Sequence, residues 1–422
     1  MKILLLGSGG REHALSQKIS QSPHCESLFI APGNGGTGSC GTNVNIGVND
    51  FSAIESFVKQ ENIDLIVVGP EDPLVNGVYD YFTERGVAVI GPSKEAAQLE
   101  GSKAFSKKFM ERQGIPTAAY AEFTAENFEE GKIYLAHHAL PIVLKADGLA
   151  AGKGVVICQS HEEAQQVFEE MILNRQFGEA SSRVVVEQFL SGIEISVFVL
   201  TDGRDYKIIG HAKDYKRIGE GDTGPNTGGM GCVSPVPFAE GTFMQKVIDR
   251  VIEPTINGFH KENLVYKGFV FFGLINVEGE PYVIEYNCRM GDPETEVVLP
   301  RLKTDLVGLF MKLNNGELGA AEVDIDTRAA ATVMAVSGGY PGDYQKGKVM
   351  ELPAELPADT FLYHAGTKLL EDGTLVTNGG RVITATALAP TIQEAAVLAK
   401  TLIEQVQYEG MYYRKDIGYE FE

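Results

Sequence analysis

The first hundred residues alternate short apolar runs with polar stretches of helical spacing, and this alternation constrains the fold more than any other feature. The apolar runs are rich in β-branched residues and bounded by glycine or proline; they are Lys2–Leu6, Ser27–Ile30, Asp64–Val68 and Val87–Ile90. The stretches between them are Arg11–Ser20, Phe51–Gln60 and Pro73–Arg85. Strands that alternate with helices predict a parallel sheet with helices on both faces.

After Gly101 the regular alternation gives way to a mixed α and β pattern. The predicted helices are Ser102–Gln113 and His161–Leu173, and the predicted strands are Pro141–Asp147, Val155–Cys158, Arg183–Glu187, Glu194–Thr201, Tyr206–Ala212 and a hairpin of Lys267–Val277 with Pro281–Tyr286. Arg217–Gly231 is rich in glycine and has no periodicity, so we expect a long loop there, either functional or disordered.

The chain is expected to divide into three domains. Beyond Arg328, strands, hairpin turns and one late helix at Ile392–Val406 indicate a third, mostly β domain with some helix. We place the boundaries at residues 1–101, 102–327 and 328–422, with a small α+β unit at about 117–192 inside the second domain. The fold class expected is α/β, or α+β in a multidomain sense.

Composition excludes several classes of protein. The formal net charge of −21 argues against a nucleic-acid or anionic-membrane binder, so local cations, backbone N–H groups or a metal must hold any phosphate ligand. No apolar run is long enough for a signal peptide or a membrane span. The five cysteines are scattered without a Cys-x-x-Cys pair, which fits a reducing compartment. We therefore expect an unsecreted, cytoplasmic protein.

A glycine-rich turn follows the first predicted strand. Gly9 and Gly10 would let backbone N–H groups approach a phosphate at a helix N-terminus, and Arg11 adds a positive charge. Glu12 occupies the position of the third glycine of a dinucleotide fingerprint, which disfavours a nicotinamide oxidoreductase. The alternative interpretation is a tight turn without a ligand.

Lys145 lies on a predicted strand and precedes a loop of glycine and alanine, Gly148–Gly154, that also contains Lys153. Cations beside such a loop suit the charge of a transferring phosphoryl group. The loop lacks the P-loop pattern. An edge lysine before an ordinary hairpin is the alternative.

Glu285 and Asn287 end an apolar strand and share one of its faces, since side chains alternate along a strand. Paired oxygen ligands suit Mg²⁺, which takes few protein ligands. Arg289 falls on the same face and could bind a carboxylate or phosphate through two hydrogen bonds. Asp214 precedes a second glycine-rich segment, Asp222–Gly231, with a mobile, phosphate-compatible character. A solvated strand end and a disordered linker are the respective alternatives.

Together these segments resemble the phosphoribosylamine–glycine ligase family of the ATP-grasp superfamily. The matching blocks are Gly7–Ala14, Pro32–Gly36, Val67–Gly77, Glu100–Phe105, Lys145–Val155, Asp222–Gly231, Glu285–Thr295, Thr377–Val382 and Arg414–Gly418. The resemblance implies a Rossmann-like N-terminal domain, a central ATP-grasp domain with a lid subdomain, and a C-terminal domain. It also implies a reaction of purine biosynthesis, in which ATP phosphorylates glycine and the amine of 5-phosphoribosylamine attacks the glycyl phosphate. Mg²⁺ or Mn²⁺ is the implied metal.

The resemblance also implies roles for individual residues. Around ATP, the implied residues are Lys103 and Lys145 on the phosphates, Gly152, Lys153 and Gly154 in the lid loop, Glu187, Phe189 and Leu190 in the hinge that reads adenine, and Glu194 on the ribose. Around the metal and the other substrates, they are Glu285 and Asn287 as ligands, Arg289 on the acyl phosphate, and Gly9, Gly10, Arg11, Asp214 and Pro293 beside glycine or phosphoribosylamine. Arg289, Lys145 and Asp214 are the candidate catalytic residues.

Three positions depart from the family pattern. Lys213 and Tyr215 replace an expected glutamine and histidine, and Ile193 replaces a frequent second acid beside Glu194. The alternatives are a biotin carboxylase-like enzyme or another ATP-grasp ligase, a nicotinamide oxidoreductase and a non-catalytic nucleotide-binding module. The expected partners are the small substrates alone, with no nucleic acid and no membrane, and the expected state is a monomer or weak dimer.

Overall fold

The N-terminal part is a parallel sheet flanked by helices, which confirms the predicted α/β arrangement. The computed structural model describes residues 1–149 and 154–421. The elements of this part are β1 (Lys2–Gly7), α1 (Gly10–Ser20), β2 (Ser27–Pro32), β3 (Thr42–Asn43), α2 (Phe51–Glu61), β4 (Leu65–Val68), α3 (Glu71–Val75), α4 (Val78–Thr83), β5 (Ala88–Pro92) and α5 (Gln98–Gly101). β1 pairs in parallel with β2 and β4, and β4 pairs in parallel with β5.

Both faces of this sheet are buried, which explains why its strands are continuous apolar runs. In β1, Leu4 and Leu6 pack on one side while Ile3 and Leu5 pack on the other. A parallel sheet covered by helices on both sides buries every position of its central strands. The strands were therefore visible in the sequence as short apolar segments.

The single helix predicted over Pro73–Arg85 is wrong, because the chain forms the two helices α3 and α4 there. The break falls at Gly77, whose φ of 91° lies in the left-handed region. Glycine adopts that conformation without the steric penalty that other residues incur. The helical spacing of apolar residues continues across the break, so periodicity alone suggested one helix.

A four-stranded antiparallel unit, here called the small sheet, follows α6 (Lys103–Gln113). Its elements are β6 (Tyr120–Thr124), α7 (Phe128–His137), β7 (Ile142–Ala146), β8 (Val155–Cys158), α8 (His161–Ile172) and β9 (Arg183–Gln188), with strand order β6-β9-β7-β8. The chain enters the unit just before β6 and leaves it just after β9. The N–H of Gln188 donates to the carbonyl of Ala119 at 2.9 Å, so the two crossing segments lie side by side.

The remaining central elements form the large antiparallel region next to the small sheet. They are β10 (Ile193–Thr201), β11 (Tyr206–Asp214), β12 (Arg217–Gly219), β13 (Thr223–Asn226), β14 (Gly231–Ser234), α9 (Thr242–Val247), α10 (Glu253–Lys261), β15 (Tyr266–Val277), β16 (Glu280–Asn287), α11 (Thr295–Arg301) and α12 (Leu306–Asn315). The predicted hairpin is confirmed as β15 and β16. The loop predicted over Arg217–Gly231 is wrong in part, since β12 and β13 pair there as a short hairpin. Strands this short carry too few residues to show an alternation.

The C-terminal part completes one sheet of thirteen strands that runs through the whole molecule. Its elements are β17 (Ala329–Val336), β18 (Thr360–His364), β19 (Thr367–Leu369), β20 (Leu375–Thr377), β21 (Arg381–Ala389) and α13 (Ile392–Ile403). The order is β18-β21-β17-β14-β11-β10-β15-β5-β4-β1-β2-β3, with β16 paired to β15. Across the described ranges, none of the helices has the length and apolarity required to span a lipid bilayer.

Candidate active site

Three lysines surround one buried carboxylate where α6 meets the small sheet. Lys145 of β7 places its Nζ 3.0 Å from Oε2 of Glu187 on β9, and Lys107 of α6 places its Nζ 3.1 Å from the same oxygen. Val143 is the direct partner of Glu187 in the β7–β9 register, so Lys145 reaches it diagonally. We call Lys103, Lys107, Lys145 and Glu187 the lysine cluster.

Lys103 connects this cluster to the far side of the cleft. Its Nζ donates to the carbonyl of Gly148 at 3.2 Å. Burial lowers the pKa of Lys103 and Lys145 lowers it further, whereas Glu285 and Asp147 oppose the shift. The carboxylate of Glu285 lies on β16, in the large sheet. The Glu285 carboxylate is thus near enough to Lys103 to raise the pKa of that lysine.

Glu285 and Asn287 end β16 as predicted, on the side opposite to the core residue Tyr286. The Tyr286 hydroxyl is buried against the hydroxyl of Thr255, at 2.8 Å. Glu285 is exposed and makes no hydrogen bond or ion pair with the described residues, while Nδ2 of buried Asn287 has no hydrogen-bond partner. Among the residues described, no three histidine, cysteine, aspartate or glutamate side chains could hold a metal. A cation at this pair would therefore depend on further oxygens from a ligand or water, which fits Mg²⁺.

Acidic and basic side chains alternate along the neighbouring edge of the cleft. Nζ of Lys216 lies 2.5 Å from Oε2 of Glu194. Burial alone would lower the pKa of Lys216, but Asp214, Glu194 and Glu285 outweigh it and raise that pKa. Burial raises the pKa of Asp214, and burial together with Asp214 raises the pKa of Glu294 to about 7. Asp214 and Glu294 thus both have raised pKa values and both lie near enough to Lys216 for its charge to oppose that rise.

Arg289 is held by two carboxylates from the N-terminal part. Its Nε lies 3.1 Å from Oε2 of Glu71, and its Nη2 lies 2.8 Å from Oε1 of Glu100. Burial alone would lower the pKa of Arg289, but these two acids outweigh it. Sequence reasoning assigned no role to Glu71 or Glu100, although both lie in blocks that carry the family resemblance, Val67–Gly77 and Glu100–Phe105.

In the glycine-rich turn after β1, the backbone N–H groups of Gly9 and Arg11 donate to carboxylates of the protein itself. The N–H of Gly9 donates to Oε2 of Glu12 at 2.6 Å, and the N–H of Arg11 donates to Oδ2 of Asp292 at 3.1 Å. The Arg11 guanidinium donates to Oε1 of Glu12 at 2.6 Å and to the carbonyl of Met290 at 3.1 Å. A Cβ on Gly10 would lie 2.3 Å from the carboxylate of Glu296. The turn is thus packed against protein carboxylates, and Arg11 does not extend into the cleft.

Arg381 of β21 ties the segment around Pro293 to the C-terminal part. Its Nη2 lies 3.0 Å from Oδ1 of Asp292, and its Nη1 donates to the carbonyls of Asp292 at 2.7 Å and Gly228 at 2.8 Å. Gly229 approaches so closely that a Cβ there would lie 2.4 Å from Cδ of Pro293. We call Arg11, Arg289 and Arg381, with Glu12, Glu71, Glu100 and Asp292, the arginine cluster.

The segment after β9 borders an open cavity of about 660 Å³. Its lining residues are Gln188, Phe189, Leu190, Ser191, Gly192, Ile193, Asn276, Val277, Glu278 and Gly279. Glu187 itself points away into the lysine cluster. Of the predicted lid loop, Gly154 accepts the Ala146 N–H at 2.8 Å. Gly152 and Lys153 lie outside the described residues.

Lys213 and Tyr215, which depart from the family pattern, both contact the carboxylate of Glu420. The hydroxyl of Tyr215 donates to Oε2 of Glu420 at 2.6 Å, and Lys213 pairs with Oε1 of that carboxylate. Glu420 lies near the end of the chain, in the short turn Tyr419–Phe421. Nothing in the local sequence indicated this contact, because the partners are about two hundred residues apart.

Family models match the chain in three consecutive segments. They are the phosphoribosylglycinamide synthetase N domain over residues 1–100, the ATP-grasp (A) domain over residues 101–295 and the C domain over residues 330–420. The chain belongs to the phosphoribosylglycinamide synthetase family. The resemblance drawn from the sequence blocks is thereby confirmed.

Relatives in this family match the chain from end to end. Phosphoribosylamine–glycine ligase of Vibrio cholerae is 48% identical, covering 99% of this chain and 98% of that protein, and the Escherichia coli O6:H1 protein of the same name is 47% identical with the same coverage. The crystal structure of the Thermotoga maritima phosphoribosylamine–glycine ligase matches with a TM-score of 0.86 at 36% identity, covering 99% of this chain and 100% of that one.

The fold is shared more widely than the family. The biotin carboxylase domain of the Hydrogenobacter thermophilus 2-oxoglutarate carboxylase, solved with MgADP and bicarbonate, matches with a TM-score of 0.74. It is 17% identical, and the match covers 98% of this chain and 91% of that one. Identity this low supports the common architecture alone, so the biotin carboxylase alternative loses to the family found along the whole chain.

Proposed function

We propose that this chain uses ATP to join glycine to 5-phosphoribosylamine, giving glycinamide ribonucleotide, ADP and phosphate in purine biosynthesis. The observation that carries the proposal is the grouping of Lys107 and Lys145 on the Glu187 carboxylate beside Lys103, whose pKa responds to both Lys145 and Glu285. Membership in a family whose relatives bear this activity in their names supports it.

The nucleotide lies between the small sheet and the large sheet in this proposal. Lys103 and Lys145 bind its phosphates, because a surplus of buried positive charge stabilises a phosphoryl group that is being transferred. The segment Glu187–Leu190 carries the adenine, with Phe189 and Leu190 at the cavity beside it. Glu194 binds the ribose. Gly152–Gly154 closes over the phosphates and keeps water from the acyl phosphate.

Glu285 and Asn287 hold the metal, which we propose to be Mg²⁺, with Mn²⁺ as a substitute. Their side chains end one strand on one face, and Glu285 is not paired with any described cation, so its oxygens are available. A bound Mg²⁺ supplies positive charge to the phosphate oxygens and orients them. Lys216 and Arg289 lie near enough to Glu285 for their pKa values to respond to it.

The remaining substrates lie at the arginine side of the cleft. A carboxylate oxygen is a poor leaving group, so transfer of a phosphoryl group to glycine makes its carbonyl carbon open to attack by the amine. Arg289 stabilises the resulting acyl phosphate, and Asp214, whose pKa burial raises, accepts the proton that the attacking amine loses. Gly9, Gly10 and Pro293 border the phosphoribosylamine, and Arg11 holds the glycine-rich turn in place through its hydrogen bonds to Glu12 and Met290.

The three domains have separate tasks in this proposal. Residues 1–101 and 328–422 border the amine substrate, and residues 102–327, with the lid at about 117–192, bind ATP and metal. The partners are these small substrates alone, in the cytoplasm, which agrees with five cysteines that are all described and all free thiols.

The decisive measurement is the substrate dependence of ADP release. We expect ADP only when glycine, phosphoribosylamine and Mg·ATP are all present, with glycinamide ribonucleotide formed in equal amount. ATP turnover that ignores glycine would overturn the assignment. Turnover that depends on bicarbonate and biotin would point to the carboxylase alternative.

A further inference from the structure

Lys107 is the member of the lysine cluster that the proposed reaction leaves without a task. It follows Lys103 by four residues on α6, so the two side chains share a helix face. Its side chain is 2% exposed, and its ammonium reaches Oε2 of Glu187 at 3.1 Å, Oγ1 of Thr117 at 2.7 Å and the carbonyl of Ala118 at 3.4 Å. A lysine has three donors, and all three are thus used.

These contacts lie on both segments that connect the small sheet to the rest of the molecule. Thr117 and Ala118 belong to the entering segment, and Glu187 stands at the end of β9, just before the chain leaves. Thr117 in turn donates to the carbonyl of Val283 at 2.7 Å, on β16. Lys107 therefore lies where the two connecting segments join the small sheet to the large one, which we call the attachment point.

The two carboxylate oxygens of Glu187 are used unequally. Both bind Oε2, while Oε1 is buried without a hydrogen-bond partner. Burial opposes ionisation of Glu187, but Lys145 and Lys107 outweigh it and lower the pKa. If Lys145 turned toward a phosphate, Glu187 would stay charged only because Lys107 remains. A buried carboxylate without any cation would instead take up a proton.

We propose that Lys107 is a positioning residue that keeps Glu187 charged and fixed at the attachment point, so that Lys145 is free to transfer to the nucleotide. This inference rests on the proposed function, since it takes ATP as the ligand of Lys145. The charged groups that face Glu187 are Lys107 and Lys103 from α6 and Lys145 from β7, and the ring of Tyr120 on β6 lies 5.6 Å from Nζ of Lys107.

Loss of the Lys107 charge should make nucleotide binding dependent on pH. In Lys107→Met, Lys145 is the sole partner of Glu187, so its transfer to the nucleotide leaves the carboxylate unpaired and Glu187 takes up a proton. We expect about one more proton bound per nucleotide than in the wild type, and an affinity that weakens about tenfold per pH unit as pH rises. The double variant Lys107→Met/Glu187→Gln should lose this proton uptake, because the amide cannot ionise.

The measurement is isothermal titration calorimetry of the full chain with Mg²⁺ and a non-hydrolysable ATP analogue, in buffers of different ionisation enthalpy. Lys107→Arg should keep the wild-type proton count. Lys108→Met is the matched control, because Lys108 is the next residue on α6 but is exposed and pairs with Glu122 at 3.0 Å. Should Lys107→Met fail to fold, Lys107→Gln carries the same test, since it removes the charge and keeps an amide donor near Thr117.

The outcomes separate this inference from the proposed function. A wild-type protein that binds no nucleotide would overturn the proposed function. A wild-type protein that binds it, with Lys107→Met and Lys107→Gln showing the wild-type proton count, would overturn the role of Lys107 alone. A merely structural role would weaken binding at every pH equally, and that result would also overturn the inference.

Discussion

The lysine cluster and the arginine cluster use buried charge in opposite ways. In the lysine cluster, Lys107 and Lys145 share the Glu187 carboxylate, and within the described part of the chain the ammonium of Lys103 donates only to a backbone carbonyl. In the arginine cluster, Arg289 and Arg381 are matched by Glu71, Glu100 and Asp292. A surplus of positive charge is available to a phosphate, whereas a cluster in which every arginine is paired with a carboxylate holds parts of the chain together. Buried cations that lack a paired carboxylate are thus a better sign of a ligand site than buried cations in general.

Loss of Lys145 should have the largest effect, because it removes unmatched charge from the lysine cluster. For Lys145→Ala we expect kcat for glycine-dependent ADP release to fall about 10²- to 10³-fold. The fold should persist, since Glu187 keeps Lys107 as its partner, and circular dichroism would check this. Lys108→Ala, at an exposed position, should behave as the wild type. Near-normal turnover by Lys145→Ala would contradict the idea that the unmatched charge of the lysine cluster serves catalysis.

Loss of Arg381 should lower the free energy of unfolding more than loss of a lysine from the lysine cluster does. Arg381→Met leaves Asp292 without its ion pair and frees two carbonyls, so we expect the free energy of unfolding to fall by about 3 kcal/mol. Urea unfolding followed by fluorescence would measure the change. Lys368→Met is a suitable control, because Lys368 is exposed on β19 and contacts no described acid. Equal stability of the two variants would show that the arginine cluster does not hold these parts of the chain together.

The pH dependence of stability should report the titration of two buried histidines, His13 and His364. The backbone N–H of His364 donates to Nδ1 of His13 at 2.8 Å. Burial, assisted by His364, lowers the pKa of His13 to about 3, and burial lowers the pKa of His364 to about 4. Both values lie below that of an unfolded histidine, so the unfolded state binds more protons as pH falls below 6.5.

Stability should therefore decrease on acidification, by about 2 kcal/mol per histidine at a pH of about 5. His13→Asn keeps an acceptor for the His364 N–H but does not titrate, so it should lose less stability between neutral pH and that value. Urea unfolding at the two pH values gives the comparison. His137→Asn, at an exposed histidine, should follow the wild type. If His13→Asn lost as much unfolding free energy on acidification as the wild type, the acid sensitivity would have to come from other residues.

The smallest expected effect concerns the metal ligands. Asn287→Ala removes one of the two proposed oxygen ligands, so the Mg²⁺ concentration that gives half-maximal activity should rise about tenfold. A titration of ADP release with Mg²⁺ measures this. Asn315→Ala changes an exposed asparagine at the end of α12 and should leave the titration unchanged. An unaltered titration for Asn287→Ala would remove it from the ligand set.

Local features of the site could be predicted from the sequence. Alternation along β16 placed Glu285 and Asn287 on one face, and the strand–loop pattern placed Lys145 near the end of β7. These predictions depend on neighbours within a few residues, for which strand geometry is sufficient. Lys107 could have been noticed by its spacing from Lys103 on one helix, but nothing local distinguishes it from exposed Lys108.

The partners of charged residues could not be predicted in the same way. Arg11 was expected to face a phosphate, yet it donates to Glu12 and to the carbonyl of Met290, 279 residues away. Likewise, Glu71 and Glu100 became recognisable only through their contacts with Arg289. The family resemblance located the blocks that contain them without giving these pairings.

The sequence by itself determined many of the strands, the helices α1, α2, α6, α8 and α13, and the family, because periodicity and motif order are properties of adjacent residues. Only the tertiary structure decided which lysines carry unmatched charge and which arginines are neutralised. The physical reason is that the strength of an ion pair depends on distance and burial, and both are set by how residues far apart in the chain are packed.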